Sequence, residues 1–183
     1  VYSLDYLPQE FPVLGSGDHR IHCLAADLGS GVCDCLLLFD SYKVYDGKYS
    51  IPGLPAMFAG ESAQTLEILL KDCREEFYVR LLYGVFEDVD IITRSVVIEN
   101  RMEGPAVLKK VSSACVDLME NGLELVHFYG RHGCERQMEK SPLPHGIMEV
   151  RSTRGASSHQ HNPFVILAGE YTTEESGICY GAA

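Results

Sequence analysis

Alternation of apolar and polar residues with a period of two constrains this chain more than any other feature. Three consecutive stretches carry it. Their apolar files are Leu66, Ile68 and Leu70, then Phe77, Val79, Leu81, Tyr83 and Val85, and finally Ile92, Val96 and Ile98. The third file is interrupted by Arg94. Because successive side chains of a strand point to opposite faces, these files predict half-buried strands of an antiparallel sheet.

Turn residues recur at short intervals along the chain, as in Asp46-Gly47, Pro52-Gly53 and Asn121-Gly122. Many short strands at such spacing indicate a sandwich or a barrel. One segment departs from the pattern, because apolar residues at helical spacing run from Val107 to Leu118, just before a pair that would end a helix well. The local pattern by itself therefore predicts a helix over residues 107–118.

Length and charge exclude several classes of protein. A complete (β/α)8 barrel enzyme needs about 250 residues, and this chain has 183. Its 26 acidic and 15 basic residues give a net charge of −11, which argues against a nucleic-acid partner because phosphate binding requires clustered Lys and Arg. The longest apolar run, over residues 35–39, is far shorter than the roughly 20 residues of a membrane helix. We expect no membrane partner.

Seven cysteines are present, and none belongs to a C-x-x-C pair. Most of their neighbours are apolar, as on both sides of Cys115, which favours buried reduced thiols that behave as small hydrophobic side chains. The chain also contains no N-glycosylation pattern. Together these features predict a reducing, cytosolic compartment.

Two local motifs have residues that could form binding sites. The segment Gly15-Ser16-Gly17-Asp18-His19-Arg20 is rich in glycine but lacks the Lys-Ser/Thr of a phosphate loop, so a turn with an Asp–Arg ion pair is the preferred interpretation. His159 and His161 would share one face of an extended backbone and could reach one metal ion. The alternative, which we favour, is that both histidines hydrogen-bond within a loop built around Asn162-Pro163.

The acidic residues Glu87, Asp88 and Asp90 lie between two predicted strands. Paired carboxylates serve acid–base chemistry in glycoside cleavage, but acids at this place ordinarily decorate a solvated turn. The sequence contains neither a nucleophile elbow nor a zinc-binding H-E-x-x-H helix. Residue chemistry alone thus indicates a non-catalytic β domain.

Several runs of residues nevertheless go beyond composition. In order along the chain they are GDHR at 17–20, IPGLPA at 51–56, TLEI at 65–68, VFEDVDIITRS at 85–95, SACVD at 113–117, CERQ at 134–137 and RGASSHQHNPF at 154–164. This series resembles the N-terminal domain of glycoside hydrolase family 36 α-galactosidases, particularly the bacterial cytosolic ones. The resemblance covers nearly the whole chain, and the last run is its most specific part.

The resemblance implies a mainly β fold, an antiparallel β-supersandwich of the galactose-mutarotase-like type. Residues 1–183 would then form a single domain that is incomplete at both ends, followed in the parent enzyme by a (β/α)8 barrel that carries both catalytic aspartates. It also implies a strand where the local pattern predicts a helix, and we therefore expect a strand over residues 108–117.

For function, the resemblance implies an accessory domain of an α-galactosidase that removes terminal α-galactose from melibiose- or raffinose-type sugars. The expected partners are the barrel and neighbouring subunits of a homo-oligomer, and no catalytic residue, metal or cofactor is expected in the chain. The residues expected near substrate or an interface are Asp18, Arg20, Arg154, His159, His161 and Asn162. The alternative is a free-standing module that binds carbohydrate or is purely structural.

Overall fold

A computed structural model describes residues 7–15, 21–53, 62–153 and 160–183 of the protein. These residues form ten strands and one short 3-10 turn, Glu87–Val89, and contain no α-helix. The strands are β1 (Leu24–Asp27), β2 (Leu37–Asp46), β3 (Ala63–Asp72), β4 (Phe77–Phe86), β5 (Ile91–Asn100), β6 (Val107–Val111), β7 (Leu123–Arg131), β8 (Cys134–Pro142), β9 (His161–Gly169) and β10 (Cys179–Ala182). All strand pairs are antiparallel, so the predicted mainly β class is confirmed.

The chain divides into two compact units, Val1–Asp117 and Leu118–Ala183. The first contains the sheet β2-β3-β4-β5 and the two-stranded sheet β1-β6, and the second contains the sheet β10-β9-β7-β8. That residues 1–183 act as one domain stays a prediction.

The three alternating files of the sequence lie on one face of the four-stranded sheet of the first unit. Leu70, Val79 and Ile98 stand opposite one another on β3, β4 and β5, and the next row repeats the arrangement two residues along each strand. These side chains pack with Leu24 and Ala26 of β1 in one hydrophobic core. The predicted antiparallel strands are therefore confirmed, and the small sheet covers this face.

The prediction of a helix over residues 107–118, which rests on local spacing, is wrong. Val107–Val111 form β6, which pairs with β1 from Asp27 to Leu24, and the Ser112 N–H donates to the Cys23 carbonyl 2.8 Å away. Residues 112–120 have no regular structure, so the strand also ends earlier than the resemblance implies. Pairing with β1 satisfies the backbone groups along one side of β6 and overrides the weak helical preference of this segment.

In the second unit, the structure differs from the predicted loop around Asn162-Pro163. Both residues lie inside β9, which begins at His161. His161 already pairs with Tyr129 of β7, and the register of β7 and β9 shifts between this pair and the pair His127–Val165. Pro163, which has no N–H to donate, falls within that shift. On the other side of β9, pairing with β10 covers only Val165 to Ala168, so proline is tolerated here as at a sheet edge.

Among the described residues, no helix has the length and apolar character needed to cross a bilayer.

Candidate functional site

The structure describes two of the six residues expected near substrate or an interface. Asp18, Arg20, Arg154 and His159 lie outside the described residues. His161 and Asn162 are the first two residues of β9, and both are half-buried. Of the expected group, the structure therefore places only His161 and Asn162. His161 pairs with Tyr129 of the adjacent strand β7.

His161 lies beside a second histidine, His127, on the central strand β7. The two ring centroids are 6.0 Å apart, with 31° between the ring planes. On its other side, His127 stands opposite Glu139 of β8, with 3.7 Å between its Nε2 atom and the nearer carboxylate oxygen. The Tyr129 ring lies 6.2 Å from the His127 ring. Three adjacent strands thus bring two imidazoles, a carboxylate and a phenol together.

Burial distinguishes this histidine cluster from an ordinary surface group. The His127 side chain is only 8% exposed. The Nδ1 atoms of both His127 and His161 are buried, and neither has a hydrogen-bond partner among the described residues. Buried polar atoms are nearly always satisfied, which makes these two Nδ1 atoms exceptions to the usual pattern.

Sequence reasoning missed His127 and Glu139, although a signal was available. Leu123, Leu125, His127 and Tyr129 form a period-two file in which Leu123, Leu125 and His127 are buried. A histidine inside an apolar file is unusual, because the ring needs polar partners in the core. Glu139 carries no comparable signal in the sequence, since its role depends on the register between β7 and β8.

The acidic group Glu87, Asp88 and Asp90 has the geometry of a surface turn. Glu87 and Asp88 lie in the 3-10 turn, Asp90 follows in the left-handed conformation, and all three are exposed. The Asp88 carboxylate accepts a hydrogen bond from the Ser62 hydroxyl. The prediction of a solvated turn is confirmed, and these carboxylates do not converge on a cleft.

Arg94, which interrupts the third apolar file, is explained by its contacts. Its side chain, 10% exposed, forms an ion pair of 2.6 Å with Glu10 and donates to the carbonyls of Glu10 and Cys115. The guanidinium lies 4.9 Å from the centre of the Tyr83 ring. Two effects raise the pKa of Tyr83: its burial, which is the larger, and the hydrogen bond that its hydroxyl donates to Glu10. Arg94 therefore joins two irregular segments to the sheet.

Asp72 is a second buried charge with a structural role. Its carboxylate accepts backbone hydrogen bonds from Leu36 (2.7 Å), Arg74 (2.9 Å) and Glu75 (3.0 Å). Burial by itself would raise the pKa of Asp72, but the backbone donors outweigh it and hold the pKa below its ordinary value. Asp72 thus fixes the turn after β3 and the entry to β2.

The buried thiols are protected from ionisation. Burial, reinforced by the nearby Asp72 charge, raises the pKa of Cys35 to about 12. Burial and the neighbouring Cys115 thiol raise that of Cys23 to about 11. Because the thiolate is the reactive form, neither group is a nucleophile near neutral pH. In the described part of the chain, no three His, Cys, Asp or Glu side chains are placed to hold a metal ion together.

Comparison with known families decides what kind of domain carries these features. The model of the glycosyl hydrolase family 36 N-terminal domain matches residues 1–183, which is the entire chain. The chain belongs to this family. The resemblance seen in the sequence motifs is confirmed, and with it the sandwich class of this family 36 N-terminal domain.

Curated and solved relatives agree with this assignment. The chain is 50% identical over 181 residues to the bifunctional alpha-galactosidase/sucrose kinase AgaSK of Mediterraneibacter gnavus, a match that covers 98% of the chain and 19% of that protein. The crystal structure of the alpha-galactosidase AgaA from Geobacillus stearothermophilus superposes with a TM-score of 0.94 at 36% identity, over 98% of the chain and 25% of AgaA. This family 36 N-terminal domain therefore spans a quarter or less of the relatives it matches.

Proposed function

We propose that the chain is the N-terminal accessory domain of an α-galactosidase, a retaining hydrolase that releases terminal α-galactose from melibiose- or raffinose-type oligosaccharides. The observation that carries the proposal is the coverage, since AgaA matches 98% of the chain while the chain spans 25% of AgaA. Substituted forms of AgaA were solved in complex with stachyose and with raffinose.

On this proposal the catalytic steps take place outside the chain. Retaining cleavage requires a nucleophilic and an acid/base carboxyl group about 5–5.5 Å apart. The acids that local sequence marks, Glu87, Asp88 and Asp90, lie on an exposed turn. The chain itself would contribute scaffolding of the catalytic barrel and a contact between subunits of a homo-oligomer in the cytosol.

An uncovered apolar surface supports the scaffolding role. Phe39, Tyr42 and Val44 of the edge strand β2, here called the β2 face, are 65%, 65% and 58% exposed. They stand opposite Leu70, Ile68 and Leu66 of β3. They therefore continue the core face of the sheet past the part that the small sheet β1-β6 covers. Because exposed apolar patches of this kind mark interaction sites, we assign the remainder of the parent enzyme as the occupant.

The proposal is tested by measuring hydrolysis of a nitrophenyl α-galactoside by three proteins: the isolated chain, the parent enzyme, and the parent enzyme without residues 1–183. We expect activity in the parent alone, because on this proposal the carboxyl pair belongs to the barrel and the truncated enzyme lacks its scaffold. Turnover by the purified chain that is lost on mutating one of its own acids would contradict the proposal. Raffinose binding by the isolated chain, with no dependence on further domains, would instead support a free-standing sugar-binding module.

Arg154, His159 and His161 remain proposed polar contacts of an interface to the barrel or to a neighbouring subunit. Asp18, Arg20 and Asn162 remain proposed to lie near the substrate or near that interface. In the parent enzyme, Arg154→Ala and His159→Ala should weaken subunit assembly or raise KM while the melting temperature of the isolated chain stays unchanged. A lower melting temperature of the isolated chain with normal assembly would instead assign these side chains to internal stabilisation.

A further inference from the structure

Arg94 stands at a position of β5 where the alternation of the sequence calls for an apolar side chain. It lies opposite Tyr83 of β4, in the same file as Val96 and Ile98, which pack against the hydrophobic core. Its side chain is only 10% exposed, whereas that of its ion-pair partner Glu10 is 57% exposed. Such a pair adds little net stability, because water screens the exposed charge and the buried charge has lost its hydration. The buried guanidinium therefore needs an explanation other than core stability.

The guanidinium group of Arg94 holds two irregular segments at the same time. It contacts Glu10 at the carboxylate (2.6 Å) and at the backbone carbonyl (2.9 Å), and it donates to the Cys115 carbonyl at 3.2 Å. The Tyr83 hydroxyl donates to the same Glu10 carboxylate, and the Tyr83 ring centre lies 4.9 Å from the guanidinium. A rigid planar fork with several donors fits these partners, whereas a lysine would supply one point charge. These four residues are here called the Arg94 clamp.

The Arg94 clamp fixes one end of a segment whose other end is fixed by β1. At that other end, the Leu14 N–H donates to the Leu24 carbonyl 2.9 Å away. Residues 10–14 are thus held at both ends, and in the sequence they lead directly to Asp18 and Arg20. Those two residues are among the ones proposed above to lie near the substrate or an interface. The clamp therefore fixes the start of the chain segment that carries them.

We propose that Arg94 is a positioning residue for oligosaccharide binding by the parent enzyme. It acts through Glu10, which it holds in one arrangement, and the contacts to the sugar are made by Asp18 and Arg20. This inference rests on the proposed function, in which both catalytic carboxyl groups belong to the barrel. On that basis the contacts of this chain fall on the part of the sugar beyond the galactosyl group that reacts. Arg94 therefore affects the binding of long substrates and not the chemical step.

The experiment measures kcat and KM of the parent enzyme on raffinose and on a nitrophenyl α-galactoside. Arg94→Met keeps an unbranched side chain and removes the guanidinium, so we expect the KM for raffinose to rise about 10-fold, as for a displaced binding group. The kcat and KM for the small substrate should change less than about 2-fold, because no transition-state contact is lost. Arg101→Met is the matched control, since Arg101 also forms an ion pair and lies 4.4 Å from a tyrosine ring. It should leave both KM values unchanged.

Melting temperatures of the same variants separate positioning from stabilisation. A lower melting temperature of Arg94→Met with an unchanged KM for raffinose would overturn the inference, and so would equal increases of KM for both substrates. If Arg94→Met does not fold, Tyr83→Phe removes only the hydroxyl that donates to Glu10 and should raise the raffinose KM in the same direction. An unchanged value in that variant would also overturn the inference.

The parent enzyme itself distinguishes this inference from the proposed function. A folded parent with no activity on either substrate would overturn the proposed function, and the inference with it. An active parent in which Arg94→Met leaves the ratio of the two KM values unchanged would overturn the inference alone.

Discussion

At the scale of single residues, Asp72 is stabilised as a charge in a buried position. It is 1% exposed and faces three backbone N–H groups from two chain segments. Hydrogen bonds to charged groups are stronger than neutral ones, which explains why an ionised aspartate is retained where most carboxylates would be too costly to bury.

Replacing this carboxylate by an amide tests its role. In Asp72→Asn, the side-chain NH2 group replaces one carboxylate oxygen and faces a backbone N–H group, so that N–H loses its acceptor. We expect a loss of about 2 kcal/mol in the free energy of unfolding at pH 7. Asp34→Asn, at an exposed aspartate paired with Arg74, should cost less. Urea unfolding of both variants beside the unmodified chain provides the comparison, and equal losses would show that backbone donation to Asp72 has no special importance.

The same position predicts a pH dependence with a definite sign. Because the pKa of Asp72 is lower in the folded chain than in the unfolded chain, its contribution is present above the unfolded value of about 3.9. It is lost as the pH falls through the lower folded value. The stability difference between Asp72→Asn and the unmodified chain should therefore shrink below about pH 4.

At the scale of elements, the β7–β8 hairpin depends on a glycine at its irregular end. The register shifts between Tyr129 and Arg131, and at Gly130 the opposite strand approaches so closely that a Cβ atom would lie 2.9 Å from the Glu135 Cα and also contact the Cys134 carbonyl oxygen. These are backbone atoms, which cannot move aside without opening the hairpin.

Gly130→Ala should accordingly destabilise the chain by about 2–3 kcal/mol through overpacking. Gly104→Ala is the matched control, because nothing lies within 4 Å of its added Cβ and its effect should stay within about 1 kcal/mol. Thermal unfolding reports the overall effect, and hydrogen exchange of β7 and β8 amides reports whether the hairpin has opened. Unchanged protection in Gly130→Ala would contradict the steric argument.

At the scale of the whole molecule, the β2 face is the surface that the proposed scaffolding most needs. Its side chains continue the rows of the core on an edge strand, where an isolated protein gains little from aromatic residues. Natural edge strands usually carry devices that prevent association. Here Lys43 and the irregularity between Phe39 and Ser41 provide some protection from unwanted pairing, while the apolar face stays available.

Phe39→Ser combined with Tyr42→Ser should therefore affect the parent enzyme more than the isolated chain. We expect a change of less than about 1 kcal/mol in the chain, as for exposed positions generally, and a clearly lower melting temperature and loss of assembly in the parent. Tyr171→Ser, at a loop tyrosine that is 83% exposed, serves as control. An equal shift in chain and parent, measured by calorimetry and sedimentation velocity, would exclude the β2 face as the docking surface.

Local sequence determined much of the architecture of this family 36 N-terminal domain. Alternation along residues 66–70, 77–85 and 92–98 predicted three strands, and the structure places them side by side as β3, β4 and β5. It succeeded because side-chain direction in a strand is a local property, and a buried face strongly selects the register. The exposed turn of Glu87, Asp88 and Asp90 was also predicted, because acidic residues between two strands ordinarily lie in a solvated turn.

Tertiary structure alone decided the features that depend on distant residues. Helical spacing in residues 107–118 yielded to pairing of β6 with β1, about eighty residues earlier, because a short isolated helix is only marginally stable in water and tertiary pairing overrides it. His127 meets His161 and Glu139 through the registers of β7 with β9 and β8. Strand order and register are set by the packing of the whole sheet, so the histidine cluster could not be predicted from the spacing of its members.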